Sequence, residues 1–436
     1  MKTRSITRST ALIIGTAVSS SFVAATAFGA GFALNEQSAR LSGQAFSGRA
    51  SDADNASTVF GNPAGMSLLK QGELSAGFTF IDAHSDITNV TSTAAGAEVS
   101  GSNDGDIIPF STIPFAFYSQ PIDEHWAAGF GIYTPFGLVT DYDDDFQGRY
   151  FGTKSDIRVI TLQPTMSYRF DNGLSVGIGV TYNRFDGELK KDIFTPLGDI
   201  DAGVKGDDTA WGYNIGALYQ FSDNTRVGLT YYSKVKYTLE GHTNLKDVPA
   251  ALGIGTSARY DAKLDVETPD RIELGLTHIL TPQLTLHANI ARTNWKTLDE
   301  IRVKNEGTPV LLGSRPLAET VEPLDWDPSM FYSLGLSYRI DNQWTVRGGL
   351  AIDKQPIPSS TRSVRLPAGD RKIAAIGGTW SPLQNLDIDF SYMYIKEKEV
   401  RVNQEGEALG TGLPYSYEAK YDSYVNLLAA QATWRF

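Results

Sequence analysis

From Glu73 onward the apolar positions recur every second residue. Leu174, Val176, Ile178, Val180 and Tyr182 alternate with Ser175, Gly177, Gly179, Thr181 and Asn183. Trp211, Tyr213, Ile215, Ala217 and Tyr219 alternate with Gly212, Asn214, Gly216 and Gln220. A period of two marks strands with one apolar and one polar face. After Gly72 no stretch keeps a helical period for three turns. Fourteen strand segments follow, centred near Phe78, Phe117, Phe130, Leu162, Ile178, Ile215, Leu229, Leu274, Ala288, Leu334, Leu350, Ile376, Phe390 and Leu428. Six short turns and seven long loops join them. The long ones lie near Ala83–Asp106, Leu138–Ser155, Glu188–Asp208, Gly241–Ala262, Thr297–Asp325, Lys354–Gly369 and Glu399–Ser416. Short turns on one side and long loops on the other are the asymmetry of an outer-membrane barrel. The predicted class is all-β, a 14-stranded antiparallel transmembrane β-barrel. Parity alone does not say which face is inside, because a soluble sandwich shows the same alternation.

The N-terminus changes the picture. Lys2, Arg4 and Arg8 precede a weakly apolar run from Ala11 to Ala25, with small residues at Ala25, Ala27, Gly29 and Ala30. That three-part pattern reads as an export signal over residues 1–29, cut after Gly29 or, as the alternative, after Ala27. Removing three cations takes the formal charge from −12 to −15, a balance unsuited to a nucleic-acid partner. The 436 residues include no Cys, so disulfides and thiolate metal sites are excluded. A mean hydropathy of −0.21 speaks against membrane helices. It does not speak against a barrel, in which only alternate residues meet lipid. The last strand alternates through Leu428, Ala430, Ala432 and Trp434 to a terminal Phe436. A terminal aromatic of this kind looks like the signal presented to barrel assembly machinery. The localisation this predicts is the bacterial outer membrane.

Between leader and barrel, Ala30–Leu69 lacks the alternation. It is small and polar, with Asn35, Glu36, Ser38 and Asp54 as candidate caps for short helices. Residues 30–70 are expected to form a partly helical hatch, since a barrel of this size has a lumen to fill; residues 71–436 form the barrel. A periplasmic tail is the alternative. Asn62-Pro63-Ala64 is expected to make a rigid elbow against the wall near Asp353 and Arg371, held by a turn bond worth about 1 kcal/mol.

Three stretches resemble the FadL/TodX family of outer-membrane transporters of long-chain fatty acids and other hydrophobic compounds. Gly31-Phe32-Ala33-Leu34-Asn35-Glu36 is similar to the family's mature start. Gly61-Asn62-Pro63-Ala64-Gly65 is similar to its hatch motif. Val346 to Asp353, then Pro356, Pro358, Arg362, Pro367, Asp370 and Arg371, extend the match. The resemblance implies a monomeric barrel with a gating hatch at Phe32, Asn62, Pro63 and Ala64. It implies an external hydrophobic groove, an inner pocket and sideways exit at a kinked third strand. Long-chain fatty acids are the expected cargo; aromatic hydrocarbons, or hydrophilic solutes through a general porin, are the alternatives.

The residues suggest where such sites lie. Phe194, Leu197, Ile200, Leu245 and Leu252 are greasy positions on two external loops, suited to ligand capture or to packing as a lid. Arg271, Arg347, Asp353 and Arg371 fall in the lumenal phase, where they suit a ligand head group or ion pairs tying the hatch to the wall. Pro135 and Gly137 end the third strand and Pro164 interrupts the fourth, so pairing there is expected to break; the resemblance implies a lateral portal at that place, and a bend above the membrane is the alternative. Five His show no metal spacing, and His287 beside Asn289 lacks a Ser to complete an esterase set. No enzyme, cofactor or metal is expected. The Asp141–Asp145 run is read as a solvated loop, with a divalent ion beside lipopolysaccharide as the alternative.

Overall fold

In a computed structural model, residues 30–308, 310–311, 315–316, 318–408 and 411–436 are described; the leader assigned to 1–29 lies outside them. The barrel strands are β1 Glu73–Ala94, β2 Ser111–Pro121, β3 Trp126–Asp141, β4 Lys154–Arg169, β5 Leu174–Ile193 and β6 Ile200–Ser222. Next come β7 (Thr225–Tyr232, continued by Val235–Lys246), β8 (Ser257–Thr268 and Arg271–Ile279) and β9 (Leu284–Thr293, continued by Glu300–Asn305). The last are β10 (Glu319–Pro323 and Ser329–Arg339), β11 Trp344–Asp353, β12 Arg371–Leu383, β13 (Leu386–Glu397, continued by Val400–Glu407) and β14 Pro414–Arg435. Each pairs antiparallel with its sequence neighbours. The ring closes where β1 meets β14, from Glu73 opposite Arg435 to Ala94 opposite Tyr415. All fourteen expected centres lie in these strands.

The direction of the faces settles what parity left open. Ile178, Trp211, Leu229 and Phe436 point outward and are 45–67% exposed, while Leu174 is half-buried. Their inward neighbours Ser175, Asn214 and Thr230 are buried. A soluble sandwich would bury the first set; this wall offers it to lipid.

Higher up, the two faces exchange character. Along β5 the inward positions pass from Ser175, Thr181 and Asn183 to Phe185, Leu189 and Ile193. The outward ones pass from Ile178, Val180 and Tyr182 to Arg184, Asp186 and Glu188. On β6, Ile200, Ala202 and Val204 are inward while Asp201, Lys205 and Asp207 are outward. Above the membrane the outside meets water, so the alternation inverts although the strand continues. Several expected loops are therefore strand: β5 and β6 leave a connection of residues 194–199 only, and β1 runs on to Ala94.

The hatch lies inside the ring. It contains α1 Ala39–Ser42, α2 Thr58–Gly61 and a 3-10 turn over Pro63–Leu68. Ser38 caps α1, and the Asn62 side chain caps the 3-10 turn. The other expected caps are engaged elsewhere: Asn35 accepts from Arg49 and Arg271, the Glu36 carboxylate accepts from the Asn35 N–H, and Asp54 pairs with Arg40. Wall glycines let the hatch approach closely. A Cβ at Gly377 would stand 2.7 Å from the Gly43 Cα, and one at Gly228 would stand 1.8 Å from the Ala50 carbonyl oxygen.

Two outcomes follow. Ile178→Lys places an ammonium on the lipid face and should lower unfolding stability in lipid by roughly 2–4 kcal/mol near the midplane, read by denaturant titration of the refolded barrel. Deleting residues 30–69 should turn a closed protein into an open pore, seen as a step in ion conductance across a planar bilayer; unchanged low conductance would mean that the wall alone fills the lumen.

Candidate functional site: a plugged lumen, a side gap and an apolar upper chamber

Along the seam between β2 and β3 pairing stops early. β2 and β3 pair from Pro121–Ala127 only as far as Ala116–Ile132. Beyond that point β3 bulges between Tyr133 and Phe136. The N-terminal segment takes the place of the missing partner. Ala33 bridges Phe136, the Leu34 N–H donates to the Pro135 carbonyl (2.8 Å), and the Gly137 N–H donates to the Phe32 carbonyl (2.9 Å). Pro135 has no N–H to return a bond, and the Leu34 carbonyl accepts from Gln37 Nε2 instead (3.0 Å). Gln37 Nε2 also donates to the Thr134 carbonyl at 2.8 Å. Phe32 sits among Phe136, Trp295 and Trp326, with ring centroids 5.7, 5.1 and 6.0 Å away. Gly31, at φ +64°, allows the turn against the two indoles. Pro135 and Gly137 thus flank the gap. Pro164 does not: it pairs with Phe130 toward β3, and the pairs missing at Gln163 and Pro164 lie on its other side, toward β5. The reason is its absent N–H, which faces β5.

The Asn62 elbow docks elsewhere than the sequence suggested. Its Oδ1 accepts from the Ala64 N–H (3.0 Å), and its Nδ2 donates to the carbonyls of Ala50 (2.6 Å) and Ala217 (3.0 Å). A Cβ at Gly216 would stand 1.9 Å from Asn62 Oδ1, and one at Gly177 would stand 2.4 Å from the Pro63 carbonyl carbon. The elbow therefore rests on β5, β6 and β7, away from Asp353 and Arg371 on β11 and β12. Three bonds made by a fully buried side chain hold more than the single turn bond expected.

The lumenal charges are engaged with one another. Arg49 reaches Glu273 through Nε (2.8 Å) and Nη2 (2.7 Å). Arg271 lies 3.1 Å from Glu273 and donates to Asn35 at 2.9 Å. Arg347 donates to Thr379 (2.6 Å) beside Asp389 (3.6 Å). Arg371 holds Glu397 at 2.7 Å, with Asp353 at 4.0 Å. Each cation already has an acid, and the Arg49–Glu273–Arg271 group joins hatch to wall.

A different pair of cations borders an apolar space in the upper barrel. Two adjoining cavities, of about 470 and 600 Å³, share Leu189, Val204 and Ile301 as lining. Phe185, Leu239 and Leu264 line the lower one; Lys191, Arg365, Glu322, Thr243 and Asn305 are at the upper one. Arg365 is committed, donating to the Lys154 carbonyl (2.9 Å) and pairing with Glu322 (3.2 Å). Among the described residues no acid lies within ion-pair distance of the Lys191 ammonium. Lys191 stands nine residues beyond Tyr182, the last lipid-facing apolar residue of β5. Burial, aided by the like charge of Arg365, pulls its pKa below the usual lysine value. Sequence reasoning missed Lys191 and Arg365. The available signal was the inverted alternation, which puts Lys191 in phase with Leu189 and Ile193.

The external-loop residues divide. Ile200 and Leu245 are buried together with Val248, and Leu252 packs against them. Leu245 also lines the chamber. Phe194 belongs to another cluster, against Tyr150 and Tyr415, and Leu197 is exposed. A third cavity of about 470 Å³ lies lower, between Leu34, Phe60, Phe136, Tyr232 and Arg271, directly behind the plugged gap.

Comparison with known proteins agrees with this geometry. A family model described as outer membrane protein transport protein (OMPP1/FadL/TodX) matches residues 20–436. A long-chain fatty acid transport protein of Escherichia coli O6:H1 is 29% identical over 93% of this chain and 94% of its own. Outer membrane protein P1 of Haemophilus influenzae is 29% identical over 93% and 95%. The crystal structure of a Pseudomonas aeruginosa FadL homologue superposes with a TM-score of 0.82 at 23% identity, covering 93% of this chain and all of that one. The Pseudomonas putida toluene transporter TodX shares the fold at a TM-score of 0.61 and 18% identity, over 88% and 94%. An inside-out barrel, a filled lumen and a model match across nearly the whole chain lead to one conclusion: this chain belongs to the outer-membrane FadL/TodX family of transport proteins and is not an enzyme.

Proposed function

We propose that the chain admits long-chain fatty acids passively across the outer membrane. The tail would enter beneath the packed external loops and occupy the apolar upper chamber. The carboxylate would meet Lys191, with Arg365 beside it. The ligand would then pass to the cavity behind Phe136 and leave sideways between β2 and β3 when Phe32–Leu34 withdraw. The observation that carries this reading is the half-buried Lys191 ammonium, with no acid within ion-pair distance among the described residues, at the end of a chamber with apolar walls. A partly desolvated ammonium gains from an anionic partner; a ligand carboxylate is such a partner. The names of relatives support both fatty acids and monoaromatic hydrocarbons. A hydrocarbon has no charge to offer Lys191, which favours the acid. A porin for hydrophilic solutes fits poorly, because the hatch occupies the lumen and the space above it is apolar.

Lys191→Gln should weaken binding of labelled oleate about 10- to 100-fold, the equivalent of one charge-assisted bond of ~1.5–3 kcal/mol, with toluene binding unchanged. Equal oleate affinity in a folded variant would overturn the head-group assignment.

The gate has a separate test. Ala33 and Phe136 form a non-hydrogen-bonded antiparallel pair, with Cα atoms about 4.5 Å apart by the usual geometry, within disulfide reach. Because the chain has no Cys, the double variant Ala33→Cys, Phe136→Cys can be locked cleanly. Whole cells carrying it should take up oleate only after reduction. Equal uptake in both redox states would show that this seam need not open.

A further inference from the structure

Two lysines face each other on the outer wall. Lys372 of β12 stands directly opposite Lys396 of β13. Both point outward, since Arg371, Ile373, Ile395 and Glu397 on either side are buried. Like charges directly across a ladder are destabilising. The barrel neutralises its other such pairs with nearby acids. Arg401 opposite Lys420 has Glu418 at 3.1 Å and Glu399 at 2.9 Å. Lys154 opposite Lys190 has Glu188 at 3.7 and 3.8 Å. At Lys372–Lys396 only one partner is served: Lys396 holds Asp422 at 2.6 Å. Among the described residues Lys372 has no acid within ion-pair distance. Two further exposed lysines adjoin on the same face: Lys354, which holds Asp370 at 2.6 Å, and Lys398, whose N–H donates to the Asp370 carbonyl. Four ammoniums thus meet two carboxylates, an excess of two positive charges.

The height of this patch identifies its ligand. Directly below it the outward face becomes a lipid shelf. Tyr392 and Tyr394 come first, then Leu350, Ile376 and Phe390, of which Leu350 is 66% and Ile376 63% exposed. Gly348 and Gly378 leave the shelf shallow, with one neighbouring atom each within 4 Å of a built Cβ. Tyrosine over an apolar band marks head-group level. A phosphate monoester carries about −1.5 to −2 charges, which matches the excess.

We infer that Lys372 and Lys396, flanked by Lys354 and Lys398, bind the phosphate of an outer-leaflet phosphorylated glycolipid whose acyl chains lie along Leu350, Ile376 and Phe390. The site is on the lipid side of the wall, separate from the cargo route.

The test uses the full-length mature protein in detergent with bisphosphorylated lipid A as probe, read by native mass spectrometry. The wild type should retain the glycolipid. The double variant Lys372→Gln, Lys396→Gln should retain at least tenfold less at equal lipid, with oleate binding and the heat-modifiable mobility of the folded barrel unchanged. Lys263→Gln, on the far wall and paired with Glu240 at 3.1 Å, should behave as wild type. Lipid A stripped of phosphate should bind weakly. Equal retention by the double variant would overturn the site, as would equal retention of the dephosphorylated lipid. Displacement by inorganic phosphate at the same molar concentration would show that the patch takes free phosphate and not a lipid. If the double variant fails to fold, Lys372→Gln alone, which breaks no ion pair, gives the same reading through a smaller loss.

Discussion

In a bilayer the peptide N–H and C=O have no water to bond, and each group left alone costs several kcal/mol. A sheet meets that demand only by closing on itself. Here β1 pairs with β14 along nearly its whole length, with one irregularity between Thr88 and Thr91. Against that background the short ladder between β2 and β3 is informative, because the same demand applies there. It is met by a strand borrowed from the hatch, with Phe32 and Leu34 supplying what β2 does not. The hatch is therefore both the filling of the lumen and the last stave of the wall. Other buried hatch groups are served by side chains: the Asn62 side chain reaches the carbonyls of Ala50 and Ala217, and Gln163 donates to the Val59 carbonyl at 2.7 Å.

A second constraint is the boundary between lipid and water. Below it, lipid outside requires apolar outward residues, and the polar hatch requires Ser, Thr and Asn inward. Above it, both requirements reverse. The change is gradual along β5 and β6, whose ladder keeps a constant register from Leu174–Tyr219 to Ile193–Ile200. On β7 and β8 it is abrupt. There the strands are interrupted at Ser233–Lys234 and at Pro269–Asp270, and the inward set passes from Thr230 to Val235 and from Glu273 to Leu264. The upper barrel is thus an apolar chamber with a charged exterior, continuous with a lower barrel built the other way round.

This explains what could be read from the sequence. Strand number, centres and closure were legible, because lipid imposes a strict alternation and fourteen copies of it are hard to miss. The upper strands were not, because their alternation carries the opposite sign and the charged outward residues Arg184, Asp186 and Glu188 resemble a loop. Lys191 was hidden for the same reason. The lumenal arginines were visible, but their partners were not all local. Arg371 with Asp353 could be guessed from parity, whereas Arg49 with Glu273 spans 224 residues. Pro164 shows that a proline locates a broken seam without saying on which side of the strand it lies. The elbow at Asn62 was legible as an elbow; its seat on Gly177, Gly216 and Gly228 depends on long-range packing that no local pattern records.

The same inventory of contacts orders what can move along the proposed route. Most of the hatch is tied by groups that a fatty acid cannot replace. Breaking the buried Arg49–Glu273 pair leaves an uncompensated charge, at roughly 3–5 kcal/mol, and lifting Asn62 off the wall gives up its bond to the Ala217 carbonyl. The N-terminal stave is held differently. Two backbone bonds, each worth about 1 kcal/mol net, and aromatic contacts of about 0.5–1.5 kcal/mol apiece keep Phe32–Leu34 on β3. An acyl tail in the cavity behind Phe136 can replace the aromatic contacts in kind. Pro135 also lowers the cost of parting, since it has no N–H to strand. The opened seam still leaves the Pro135 carbonyl and the Gly137 N–H facing lipid, and that cost draws the stave back once the ligand has gone. On the proposed route, a side exit would reclose because the contacts that part there are replaceable by an acyl tail, and the rest of the hatch would stay in the lumen.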